Sequence, residues 1–271
     1  AALICCVPLV LGFLLPTGLL LRMALTEGDA QFGARFVTLT LNSFTLAGVT
    51  ALAGVMLALV MAYALRLRPG PLTRAANRLA GLGYAIPGAV IAIGILVPVA
   101  RLDNAVDAWM RLHFDISTGL LLTGSITALV YAYLVRFLTV ALQTVEAGLT
   151  KITPSMDEAA RSLGVGPLGT LVRVHGPLMR GSLLTAGLLV FIDVMKELPA
   201  TFVMRPFNFD TLAVQAYNLA ADERLAEAST SALAIVAVSL LPLIVLSLRI
   251  ARTRTETSHV IELPKQPAPL A

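Results

Sequence analysis

The residues of this sequence that could do chemistry are the few ionisable ones that interrupt its long apolar runs. Asp193, Lys196 and Glu197 fall together inside the apolar stretch 181–204. An unpaired charge in an apolar phase costs about 2.5–3.5 kcal/mol or more, so these three must find partners. Residues three and four apart share a helix face, which puts both Lys196 and Glu197 near Asp193. The spacing fits a self-neutralising cluster bracing a helical bundle beside Pro199. It equally fits a gate or path element facing a cavity, and the two are compatible. Direct metal ligation by Asp193 or Glu197 is the weaker reading: hard cations favour oxygen ligands, but a fast pathway should not hold them tightly. A proton or cation relay through Asp193, Lys196 and Glu197 is the alternative use of the same charges.

Other chemistries lack their residues. The three lysines follow Thr150, Met195 and Pro264, so no Gly-Lys phosphate loop exists and ATP has no cradle in this chain. There is no His-Glu-x-x-His, no Gly-x-Ser-x-Gly and no Cys/His metal cluster. His113, His175 and His259 lie far apart, with His175 read as a packing or surface residue. Cys5 and Cys6 are neighbours in an apolar run, where a bridge within the chain is disfavoured, and read as apolar bulk. No enzyme, bound cofactor or bound metal is expected.

Long apolar helices must carry these residues. Of 271 residues, 57% are hydrophobic and 13% charged, against about 25% charged in ordinary soluble domains. Residues 1–21, 36–65, 79–100, 116–135 and 228–248 contain no Asp, Glu, Lys or Arg. A membrane-spanning helix needs about 20 apolar residues, and lipid admits only helices or closed barrels. With 181–204 as a further crossing, the fold class is all-α integral membrane, with spans expected near 3–22, 37–65, 79–100, 119–141, 181–204 and 230–250. Pro8 and Pro16 are expected to interrupt the first span. The segment 1–35 is that helix and its external loop, with Glu27 and Asp29; 36–250 is the main transmembrane domain; 251–271 reads as a cytoplasmic disordered tail. The missing initiator Met suggests a piece of something longer.

Basic residues favour the cytoplasmic side of short loops. With the N- and C-termini both inside, cytoplasmic segments hold Arg66, Arg68, Arg74, Arg78, Arg136, Lys151, Arg161, Arg173, Arg180, Arg249, Arg252, Arg254 and Lys265, and external ones only Arg22, Arg35, Arg101, Arg111, Arg205 and Arg224. The net charge of +4 is thus a topology signal, and no nucleic-acid partner is implied. Arg136 is placed near the cytoplasmic end of span four, where it can snorkel. Tyr131 and Tyr133 read as helix packing.

Between spans four and five lie nearly forty residues, 143–180, on the cytoplasmic side. Within them, Ser155 and Glu158 have capping-box spacing, Asp157 and Glu158 suit the positive helix end, and Gly164 supplies a left-handed stop. Gly166-Pro167 opens a new helix, which Pro177 is expected to break before span five. The product is a short, independently capped knob at the membrane face.

Glu158-Ala159-Ala160, Gly164 and Val174-His175-Gly176-Pro177, at these intervals, resemble the Glu-Ala-Ala loop of binding-protein-dependent ABC importer permeases. Val174 stands for the family's Ile and Gly176 for its Leu. The resemblance implies that Asp157, Glu158, Ala159, Ala160, Gly164 and Pro177 belong to a coupling helix docking on a separate cytoplasmic ATPase dimer, which hydrolyses the ATP. It also implies a periplasmic substrate-binding protein. Residues 193–201, 205–212 and 221–228 look like the second half of ferric-iron permeases, which implies iron as cargo, a second permease half, fused or separate, and a multi-pass location in the bacterial inner membrane.

Overall fold

The computed structural model describes residues 2–26 and 32–260, with side chains for 6–26, 32–240, 242–244 and 247. Glu27, Asp29, His259 and residues 261–271 therefore lie outside what is described by side chain or altogether. The described chain is helical, and six of its helices are long and apolar enough to cross a membrane.

The first crossing is α1 (Ala2–Leu9), a π-turn at Val10–Leu14 and α2 (Leu15–Thr26), joined without a break. Pro8 and Pro16 do not interrupt it. A proline ring collides with the carbonyl four residues back. The π-turn is separated from Pro16 by Leu15 alone, whose N–H bonds to Val10 O, and such a wider register is one way a helix accommodates a proline ring. Helix α3 (Ala34–Leu67) is the second crossing and α4 (Pro71–Ala80) follows it. Next come an irregular stretch with one 3₁₀ turn at Gly83–Ala85 and then α5 (Gly88–Phe114). The third crossing is thus displaced from the expected 79–100, because the chain unwinds through Gly81–Pro87 and restarts beyond Pro87.

Helix α6 (Ile126–Leu149) also starts later and ends later than expected from composition. The cause lies in α5. Asp103, 2% exposed, accepts from the N–H groups of Leu122 and Thr123 and from the Thr123 hydroxyl, at 3.0, 2.8 and 2.7 Å. One turn on, Asp107 accepts from Thr118 N–H and Gly119 N–H at 2.7 and 2.9 Å. Two carboxylates thus strap an apolar loop that reads as membrane span, and Ser125 caps α6 after it through Thr127 N–H. A hydrogen bond to a charged acceptor contributes about 1.5–3 kcal/mol. Asp103→Asn should therefore speed amide exchange at Leu122 and Thr123 by about tenfold or more, measured by hydrogen–deuterium exchange, while α6 amides stay protected.

At the other end of α6 come α7 (Pro154–Ser162), α8 (Pro167–Thr170), a second π-turn at Leu171–His175 and α9 (Gly176–Met195). The helical run that carries the fifth candidate crossing is therefore Pro167–Met195, beginning before the expected 181 and ending before the expected 204. Pro177 does not break it: as at Pro16, a π-turn ends just before the proline, with Gly176 N–H on Leu171 O. Helix α10 (Pro199–Met204) is a separate helix at the end of the expected fifth span 181–204, α11 (Leu212–Ala221) lies in the segment read as an external loop, and α12 (Leu225–Val260) ends the described chain. α12 runs ten residues past the expected start of the tail.

Helices α3, α6 and α9 pack on one another to form the centre of the bundle. Ala47, Ala58, Ala132, Ala141 and Ala186 are fully buried there beside Leu129, Val145 and Val190. In lipid, apolar burial gives helices little reason to associate, so small side chains that allow close backbone approach carry the packing.

Candidate functional site

The knob at the α7 end is built from its two flanks. Thr153 is the N-cap of α7 and Pro154 its first residue. The expected Ser155–Glu158 capping box does not form: the Ser155 hydroxyl bonds to that of Thr153 at 2.9 Å and Glu158 is exposed. Pro154 decides the register, since its fixed φ and missing N–H suit the first helical position. The stop is as expected. Gly164 has φ +75°, its N–H bonds to Arg161 O at 2.9 Å and Val165 N–H to Ala160 O at 3.0 Å, a closed C-terminal motif that a residue with a Cβ enters only with strain.

Asp157 and Glu158, neighbours in sequence, part company in space. Asp157 turns inward, taking Arg66 Nε on one carboxylate oxygen at 2.9 Å and His175 Nε2 on the other at 2.6 Å. Arg66, in the last turn of α3, also donates to Leu149 O and Ile152 O, each at 2.9 Å, closing the open carbonyl end of α6. His175, fully buried, meets Tyr63 edge-on at 5.4 Å, and Tyr63 Oη donates to Pro167 O at 2.7 Å. Burial by itself would raise the Asp157 carboxyl, but the bonds from Arg66 and His175 outweigh it and hold the group below its ordinary 3.8. The knob is thereby tied to α3 and to the root of α9. Ala160 is buried beneath it, while Glu158, Ala159 and Leu163 face outward. Pro177 lies in the first turn of α9 and not on α7.

The interior charges divide differently from the expected triad. Lys196 pairs with Asp193 at 2.8 Å. Glu197 turns away, because α9 ends at Met195 and the chain unwinds until Pro199 opens α10. Only 7% exposed, Glu197 meets Arg136 Nη1 of α6 at 3.2 Å, and the same oxygen accepts from Ala200 N–H at 3.2 Å. Arg136 is thus an interior partner and does not snorkel. Its position is half-way along α6, since that helix continues to Leu149. A Cβ on Gly88, the first residue of α5, would overlap both the guanidinium and the carboxylate, so the bare glycine lets the pair tuck under the positive end of α5. The broken backbone is repaired locally: Thr201 Oγ1 donates to Glu197 O at 2.5 Å, and Tyr133 donates to Thr201 Oγ1. Backbone freed at membrane depth must find such partners. Tyr133 is buried as packing, as expected, but also holds this splice. Among the described residues no group of His, Cys, Asp or Glu could hold a metal ion.

Sequence reasoning missed Arg66, Tyr63 and His175 as anchors of the knob, and Arg136, Gly88 and Thr201 around Glu197. The signal for Arg136 was present, as the lone charge between Ile126 and Val145.

This is the architecture of a multi-pass membrane protein with a rigid knuckle at one mouth of its bundle. Residues 54–254 match the family described as the binding-protein-dependent transport system inner membrane component. That is most of the chain, and the chain belongs to this family as a multi-pass protein of the bacterial inner membrane. A Fe(3+)-transport system permease protein, FbpB 2, of Haemophilus influenzae is 28% identical over 213 residues, covering 79% of this chain and 39% of that protein. The chain therefore spans about two fifths of that relative's length. A chain from the crystal structure of a bacterial ABC transporter involved in the import of the acidic polysaccharide alginate matches with TM-score 0.69 at 16% identity, over 93% of this chain and 94% of that one. A bacterial alginate ABC transporter in complex with alginate pentasaccharide-bound periplasmic protein gives TM-score 0.65 at 15% identity, over 91% of each chain. At such identities the likeness is one of fold.

Proposed function

We propose that this chain is the translocation subunit, or one half of it, of an ATP-driven importer, with ferric ion as cargo. The observation that carries the proposal is the knuckle itself: α7 is opened by Pro154, closed at its C-terminus by Gly164, locked by Asp157 to α3 and to the root of α9, and left bare at Glu158, Ala159 and Leu163. A part so held is suited to receive force from a separate motor. The arginine distribution supports a cytosolic knuckle with both termini inside. A pair of ATPases hydrolyses ATP, and their closure moves α7. The Arg66 and His175 contacts pass that movement to α3 and α9, whose far end carries the Glu197 break. A periplasmic binding protein delivers cargo on the opposite side of the membrane, through the segments 26–36, 101–118 and 205–229, and a second permease half completes the path. The name of the Haemophilus relative supports iron; the alginate transporter solved with a periplasmic protein supports that kind of partner. This chain's own part is conformational, not catalytic.

The test is reconstitution with the ATPase and the binding protein, following ATP hydrolysis and uptake with ferric ion and a panel of anions. Ferric-loaded binding protein should stimulate hydrolysis where the anions do not. Glu158→Lys and Gly164→Val should each lower uptake about tenfold, a loss of ~1.4 kcal/mol of coupling, with insertion unchanged. Uptake that ignores ATP and follows an ion gradient, or full uptake by both variants, overturns the reading.

A further inference from the structure

Helix α4 presents three faces. Thr73, Asn77 and Ala80 turn to the bundle, where Asn77 Nδ2 donates to Glu146 Oε1 at 2.7 Å and Ala80 O accepts from Thr139 Oγ1 at 3.1 Å. Leu72 and Leu79, with Ala75 and Ala76, form an exposed apolar strip, the two leucines 81% and 68% exposed. Arg74 and Arg78, one turn apart, form a third, basic face. They line a cavity of about 290 Å³ between α4 and α6, together with Asn77, Leu142, Gln143 and Glu146. Glu146, the acid on that wall, is engaged by Asn77. Among the described residues neither Arg74 nor Arg78 has a carboxylate partner.

We propose that this cavity binds the headgroup of an anionic phospholipid. Exposed leucines beside unpaired arginines on one short helix are the chemistry of a segment lying in the plane of the membrane interface. The leucines meet acyl chains, and the arginines take a phosphate through their forked donors. Gln143 adds an amide that can donate to a phosphate or glycerol oxygen. The helix is held ready: Pro71 opens it, and Thr73 Oγ1 accepts from Gly70 N–H and donates to Arg68 O, each at 3.0 Å. A second charge source, an acidic surface on a soluble partner, would leave the apolar strip uncovered, so the lipid is favoured. Assignment to the cytosolic leaflet rests on the orientation proposed above. The binding itself does not.

The test uses the purified full chain in neutral detergent, with no ATPase present, so its outcome is separate from that of the transport reading. Phosphatidylglycerol or phosphatidylcholine is titrated and retained lipid is read by native mass spectrometry. Arg74→Gln/Arg78→Gln should weaken phosphatidylglycerol retention about thirtyfold, the effect of two arginines at an anionic surface, and leave phosphatidylcholine unchanged. Arg74→Lys/Arg78→Lys keeps the charge without the fork and should fall between the glutamine variant and the unaltered chain, which guards against a folding artefact. Equal phosphatidylglycerol retention by the glutamine variant overturns the proposal. So does an equal loss of phosphatidylcholine, or displacement of the lipid by millimolar inorganic phosphate, which would mark a site for free anions.

Discussion

Replacing Asp157 with alanine is expected to abolish coupled uptake while the protein still inserts. Two charge-assisted hydrogen bonds disappear at once, to Arg66 at 2.9 Å and to His175 at 2.6 Å. At about 1.5–3 kcal/mol each, reduced because the carboxylate is partly exposed, the docking of α7 should weaken by about 2–4 kcal/mol. Arg66 would keep its bonds to Leu149 O and Ile152 O, so α6 should stay closed while the knuckle swings free. On the coupling proposed above, hydrolysis by a partner ATPase should then continue without cargo movement. Amide exchange across Pro154–Ser162 should rise together with the loss of uptake; slow exchange in an inactive variant would sink this account. The pH dependence has a definite sign. A carboxyl whose folded value is depressed stabilises above its ordinary 3.8 and loses that contribution as pH falls through the lowered value. The contact is therefore intact at neutral pH, and assays there report the mutation alone.

The second large effect is expected at Glu197. Glu197→Gln leaves the Arg136 guanidinium in the bundle without its counter-charge. Breaking a buried pair by removing one partner costs about 3–5 kcal/mol, whereas replacing both members can be nearly neutral. Arg136→Gln/Glu197→Gln should thus recover most of the unfolding free energy lost by either single variant, read by denaturant titration in detergent micelles. Additive losses would show that the two side chains act independently.

How far this fold was legible depended on where the deciding term was local. Gly164 was read correctly because a left-handed stop is a property of one residue and its neighbours. Six crossings were read because apolar length is a local property too. The prolines were misread for the opposite reason. A π-turn ahead of Pro16 or Pro177 leaves no compositional mark, so the steric rule forecast breaks where the helices continue. Boundaries moved when a remote acid intervened: Asp103 and Asp107 capture residues 118–123, whose apolar composition suggested membrane. That shift had a further cost. With span four ending at 141, Arg136 looked like an edge residue, and its tie to Glu197 could not be inferred. Asp193–Lys196 was foreseeable from helical spacing, but Glu197 left the set once the helix ended at Met195. The knuckle was found, yet its inner and outer carboxylates were not told apart, since that depends on Arg66 and His175 from distant parts of the chain.

The length of α3 has a mechanical consequence. Its 34 residues rise about 51 Å, and even inclined by about 20° they outreach a hydrocarbon layer of roughly 30 Å. Arg35 and Arg66 stand near its two tips with no charge between them. The tip that grips α7 therefore reaches past the hydrocarbon to the headgroups and water. Glu197 and Arg136 sit deep in the oily slab with few competitors. A machine made this way can take a push at its rim through a firm clasp and carry it along one unbroken rod toward the hub.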